Sequence, residues 1–168
     1  MIAKKYLLLV LLLIIGCEPD DICIEGSKGT DELIIIFHDI DKPDNRKEIQ
    51  NLNVVGSINE NDFETLVFTT SDSITLPLRK FSSSTNYEFV LNDDNNMIAD
   101  ELTIFYTPND IFINRACGFK TIFEELNVSY STNWIKNIVI LNNTLSSNNN
   151  AHIKICLLYT SPSPRDVC

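Results

Sequence analysis

The chain has little of what most enzymes are built from. It holds only two histidines, His38 and His152, and a single tryptophan, Trp134. Phosphate cradles and dinucleotide sites need a glycine-rich loop leading into a helix. None of the five glycines falls in such a pattern. The G-x-S-x-G elbow of the hydrolases is missing too. Cys23, His38, Cys117 and His152 form an inventory suited to tetrahedral zinc. Their spacing contains no compact ligand pair, so strand histidines and a disulfide account for them better. Asn92 to Asn96 carries oxygen ligands but lacks the central glycine of a calcium loop. No segment sustains helical periodicity over three turns. The expectation is a protein with no enzymatic activity, no cofactor and no metal.

Basic charge is also scarce. The chain has 13 Lys and Arg against 23 Asp and Glu, a net charge of −10. Over Cys17 to Ile155 the counts are 10 and 22, a net of −12. Such a surface repels nucleic acid and anionic lipid, and nucleic acid is not expected as a partner.

The amino terminus is informative. Lys4 and Lys5 precede an apolar run from Tyr6 to Ile15. At about 1.5 Å per helical residue the run is too short to cross a ~30 Å hydrocarbon core. It fits the apolar part of a signal peptide. Ile14-Ile15-Gly16-Cys17 resembles a bacterial lipobox, with a small residue before the cut and a thiol after it to accept diacylglycerol. Residues 1–16 are therefore expected to be a lipoprotein signal peptide and Cys17 the lipidated first residue. Several acyl chains on one residue exceed the two-chain threshold for stable anchoring. Residues 17–25, with Glu18, Asp20 and Asp21, form an acidic tether, either a solvated spacer or a sorting signal for export. The expected location is the outer membrane, lipid-anchored, facing the periplasm or the cell surface.

The other end differs in character from the body. CLLYTSPSPRD, from Cys156 to Asp166, resembles a translated transposase sequencing adapter over eleven residues. The native chain is expected to diverge at about Cys156, making residues 156–168 a non-native tail. Residues 26–155 are then one domain, large enough to bury roughly two thirds of its unfolded surface.

Setting aside Cys17 and the tail leaves Cys23 and Cys117. In an exported protein two remaining cysteines usually pair. The closed loop would exceed 90 residues, a constraint of about 4–5 kcal/mol at most on the chain-entropy estimate. The alternative is two free thiols. Cys117 sits between Arg115 and Lys120, which would favour a reactive thiolate.

Short apolar stretches recur between Asn, Asp, Ser and Gly turns. Glu32 to Asp39 and Trp134 to Leu141 are the strongest strand patterns. Lys47 to Val55, Phe63 to Thr69, Tyr87 to Leu91, Asp100 to Thr107, Leu126 to Tyr130 and Ala151 to Ile155 follow. Ser73 to Arg79 contains Pro77, which restricts it to an edge strand or a strand end. Pro108-Asn109 reads as the turn of a hairpin returning over Ile111 to Ala116. Gly118 to Glu125 reads as a helical turn or an irregular crossing. The pattern predicts an all-β protein, a single antiparallel, immunoglobulin-like sandwich of about seven to nine strands, with a small barrel as the alternative. Trp134, Tyr106, Phe112 and Phe119 are expected in the core rather than along a groove.

CEPDDIC, LIIIFHD, LPLR, TIFYT, RACGFKTIF, WIKNI and AHIKI occur in that order. Together they resemble a family of small Bacteroidota lipoproteins catalogued as domain of unknown function 6452. RACGFK, Arg115 to Lys120, is the most specific of these motifs. The resemblance implies a lipid-anchored envelope protein and supplies no catalytic residues.

The functional expectation is a non-enzymatic accessory or interaction module, held to the membrane by lipid on Cys17. An outer-membrane β-barrel or another envelope protein would be its partner. Arg115, Phe119 and Lys120 are the candidate interaction surface. A glycan- or peptide-binding lipoprotein is the second expectation, and a thiol-redox protein using Cys117 the third.

Overall fold

The computed structural model describes residues 23, 29–57, 63–93, 96–146 and 150–157. The expected signal peptide, Cys17, the expected tether apart from Cys23, and the residues beyond Leu157 lie outside the described residues. Nine strands are described: β1 (Leu33–Asp39), β2 (Ile49–Ser57), β3 (Phe63–Ser71), β4 (Ser73–Leu76), β5 (Ser84–Asp93), β6 (Asn96–Asn114), β7 (Gly118–Tyr130), β8 (Ile135–Ile140) and β9 (Ile153–Leu157). They form one sheet in the order β4-β1-β9-β8 and a second in the order β3-β2-β5-β6-β7. Neither sheet closes on itself, so the fold is a sandwich rather than a barrel.

The apolar run of β1 is explained by its place. It lies between β4 and β9, with Leu33, Ile35 and Phe37 fully buried. These pack with Ile135, Ile153 and Ile155 from their own sheet and with Leu52, Val54, Phe89, Leu102, Ile104 and Phe123 from the facing one. Each such side chain contributes about 1.5–3 kcal/mol by leaving water. β4 stops at Leu76, directly before Pro77, and forms a sheet edge. That is the place a missing N–H permits.

The expectation of a wholly antiparallel sandwich needs one correction. β1 and β9 run parallel, from Ile35 opposite Ile153 to Asp39 opposite Leu157. The first and last strands both occupy the middle of the smaller sheet, so nearly the whole domain is their crossover. β9 also continues two residues past Ile155. Cys156 and Leu157 are buried and paired on both sides.

The largest departure is a long hairpin. Pro108-Asn109 is not a turn but lies inside β6, opposite Phe123 and Ile122 of β7. The ladder between β5 and β6 ends at Phe105, and the N–H of Tyr106 donates to the Ser83 carbonyl at 3.0 Å. Beyond that point β6 pairs only with β7, and Pro108 costs no ladder bond on its open side. Gly118 to Glu125 is likewise strand and not a helical turn. The turn falls at Arg115-Ala116-Cys117, closed by the N–H of Cys117 donating to Asn114 Oδ1 at 2.7 Å. Gly118 follows at φ 69°, a conformation that suits glycine.

Candidate functional site

A cleft of about 450 Å³ opens at the end of the sandwich from which this hairpin projects. One wall is the end of β2 and the start of β3, with Gly56, Glu64 and Leu66. The other is the Pro77–Phe81 segment after β4, and Thr85 and Tyr87 of β5 complete it. The LPLR motif thus supplies a wall of the cleft.

The cleft is built around Tyr87. Gly56 lies opposite it in the register of β2 and β5. A methyl group on Gly56 would sit 2.5 Å from Tyr87 Cε1 and 2.9 Å from Cδ1, so only a glycine lets the ring lie there. The Tyr87 hydroxyl donates to the Pro77 carbonyl. Burial pushes the Tyr87 hydroxyl pKa well above the usual phenol range, and it stays protonated and able to donate.

A closed ring of hydrogen bonds holds the next residues. The N–H of Arg79 donates to Thr85 Oγ1 at 3.0 Å. Thr85 Oγ1 and the Tyr106 hydroxyl are 2.6 Å apart, and Tyr106 donates to the Arg79 carbonyl at 2.8 Å. With Thr85 donating to Tyr106, each hydroxyl gives one bond and takes one. Arg79 is therefore fixed through both backbone groups. Its guanidinium forms no hydrogen bond or ion pair with another of the described residues. Lys80 follows it, and the Phe81 side chain is 99% exposed at the mouth. In a chain of net charge −10, an apolar cleft edged by Arg79 and Lys80 against a single Glu64 is a local reversal of charge. It suits an extended apolar ligand that carries an acidic group.

The expected interaction residues lie on the hairpin and divide between two environments. Arg115 at the turn is exposed, and Phe119 is 70% exposed. Lys120 does not join that surface. It is buried, with Nζ 2.6 Å from Asp31 Oδ2. Phe112 and Phe119 are not core residues either. They face each other across the hairpin with ring centroids 5.4 Å apart. Tyr106 and Trp134 are core, as expected.

Cys23 and Cys117 form a disulfide, with Cα atoms 5.0 Å apart. The segment before β1 is thus clipped to the hairpin twice, covalently at its turn and by the Asp31–Lys120 pair farther along. Cys117 carries no thiol in this structure. Neither histidine joins it. His38 Nδ1 donates to the Pro43 carbonyl at 2.7 Å, and His152 Nδ1 accepts from the N–H of Ile34 at 3.1 Å. Among the described residues no three His, Cys, Asp or Glu side chains cluster as metal ligands.

Nothing in the local sequence marks Asp100 as a special residue. Its buried carboxylate accepts from Ser131 Oγ at 2.5 Å and from the N–H groups of Asn133, Trp134 and Ile135 at 2.7, 2.7 and 2.8 Å. It fixes the crossing from β7 to β8, where the chain passes between sheets. Burial alone would raise its pKa, but the donors from Ile135, Ser131, Asn133 and Trp134 outweigh it and hold the carboxyl below its ordinary value. The adjacent WIKN sequence could have hinted at the crossing, but nothing local marks which acid serves it.

A family model described as a family of unknown function, DUF6452, matches residues 51–157. No curated protein and no solved structure matches.

Proposed function

The chain belongs to the DUF6452 family of unknown function, and from that premise we propose that it is a non-enzymatic, lipid-anchored binding module of the cell envelope. Its cleft takes an extended peptide segment, apolar with an acidic side chain, from an envelope protein partner. The single observation that carries this is the cleft, apolar along Leu66, Leu78 and Tyr87 and edged by the fixed Arg79. β3 beside it is the outer strand of its sheet. An added strand could pair with that edge while a side chain enters the cleft. The anchor rests on the basic, apolar and Gly16-Cys17 sequence at the amino terminus. Outer-membrane attachment is part of the same proposal.

The glycan alternative has less support. Trp134 is buried, and among the described residues Phe81 is the only widely exposed aromatic on the cleft. A thiol-redox role would need Cys117 free, and here it is bonded to Cys23.

Selection of displayed random peptides on the mature protein tests the binding reading. Peptides combining apolar and acidic residues should be enriched, and they should be lost against Arg79→Glu and against Leu66→Trp, which fills the cleft. No enrichment, or enrichment indifferent to both variants, overturns it.

A further inference from the structure

The projecting hairpin departs from the rest of the molecule in a second way. In the sandwich, strands have one buried face. At the hairpin tip, Ile111, Phe112, Ile113 and Phe119 are 37%, 59%, 36% and 70% exposed. Ile111 and Phe112 point to opposite faces. Phe112 and Phe119 share one, an exposed aromatic face, while Ile111 lies opposite Lys120 on the other, where Nζ pairs with Asp31. The exposed aromatic face suits an apolar surrounding medium. The charge pattern agrees. From Ile111 to Lys120 there is no Asp or Glu, in a chain with 23 of them, and Arg115 stands exposed at the turn. Exposed aromatics with a basic residue suit the headgroup boundary of a bilayer.

We infer that the β6–β7 tip dips into the membrane interface beside the lipid anchor, with Phe112 and Phe119 among the lipid headgroups. The inference rests on the lipidation of Cys17 in the proposed function. Cys17 lies six residues before Cys23, a reach of about 20 Å at ~3.3–3.6 Å per residue. Cys23 is bonded to Cys117 at the hairpin turn. The tip therefore cannot stand farther than that from the bilayer surface. The anchor, the disulfide and the hairpin together orient the domain. Met97, at the far end of β6, lies 17 residues from Asn114, about 55 Å along the strand at ~3.3 Å per residue. It points away from the membrane.

The test uses full-length protein purified from membranes and incorporated into vesicles of phosphatidylethanolamine with some phosphatidylglycerol. The acyl chains are brominated near the headgroup. The sole native tryptophan, Trp134, is buried and supplies the background. Phe119→Trp adds a tip reporter and Met97→Trp a distal one, both at exposed positions. Most of the emission added by Phe119→Trp should be lost in brominated vesicles and shifted to the blue, while that added by Met97→Trp is unchanged. Equal emission from both reporters, in protein that floats with the vesicles, overturns the inference and leaves the anchor standing. It would then favour a protein partner for the tip. Protein whose intact mass shows no lipid on Cys17, and which fails to float, overturns the anchor and the inference with it. A Phe112→Asp, Phe119→Asp variant that keeps the anchor should remove the reporter difference at neighbouring Ile111→Trp.

Discussion

Asp100 offers the sharpest test of how this sandwich is held together. Asp100→Ala would leave one hydroxyl and three backbone N–H groups facing a cavity, all of them now bonded to the carboxylate. Each buried donor left without a partner costs about 1–3 kcal/mol, and water entering the cavity recovers part of that. A loss of ~3–5 kcal/mol is expected, a large share of the ~5–15 kcal/mol that holds a domain of this kind. Asp100→Asn should cost less, about 2–4 kcal/mol, because one oxygen still accepts while the amide N–H₂ opposes the remaining donors. Urea unfolding of the mature protein, followed by Trp134 fluorescence, reads both. The acid dependence has a definite sign. Hydrogen bonding depresses the folded pKa below the ordinary 3.8. The carboxylate's contribution is complete above that value and is lost as pH falls through the lower, folded one. Asp100→Ala should therefore lose that part of the acid sensitivity. A variant within about 1 kcal/mol of wild type would refute the role given to this carboxylate.

Three further perturbations separate the other parts of the structure. Gly56→Ala should cost ~1–3 kcal/mol by driving a methyl into the Tyr87 ring, and should displace Pro77 and close the cleft, read as a lower urea midpoint with loss of selected-peptide binding. Replacing both Cys23 and Cys117 with serine should lower stability by up to about 4–5 kcal/mol for a loop of this length, measured by thermal unfolding with and without reductant. Wild type in reductant should match the variant. His152 accepts from Ile34 only while neutral, and burial lowers its pKa from the ordinary 6.5. Its unfolded form takes up protons first, so stability should begin to fall as pH drops below about 6.5. His152→Asn should flatten that decline in urea titrations.

Much of the sandwich is legible in the sequence because burial writes itself into local pattern. Leu33 to Phe37 is apolar throughout because β1 is paired on both edges and faces the opposite sheet, and Pro77 marks the end of an edge strand. The Cys23–Cys117 pair is expected once the chain is read as exported, and the structure contains that bond. The hairpin is illegible for the opposite reason. Pro108 usually marks a break, but here the neighbouring β5 ladder has already ended and nothing is lost by its presence. Bulges between Phe105 and Thr107 and between Phe112 and Asn114 disrupt the alternation that would reveal two strands. Glu125 at φ 56° lies opposite the first of them, and its Oε2 accepts from Thr107 Oγ1 at 2.9 Å. Phe112 and Phe119 read as core because aromatics in β proteins usually are. Only the three-dimensional arrangement puts them outside. The cleft is equally hidden, since Gly56 meets Tyr87 only through strand register and Arg79 is held beside them by hydrogen bonds to Thr85 and Tyr106.

The central claim is that the cleft holds a segment of an envelope partner. Its most direct test is a photo-crosslinking amino acid placed at Phe81, on the mouth, in cells producing the full-length protein. A discrete adduct is predicted from Phe81, absent from the same group at distal Met97 and abolished by Arg79→Glu. Adducts that form equally from Met97, or that persist in Arg79→Glu, would contradict it.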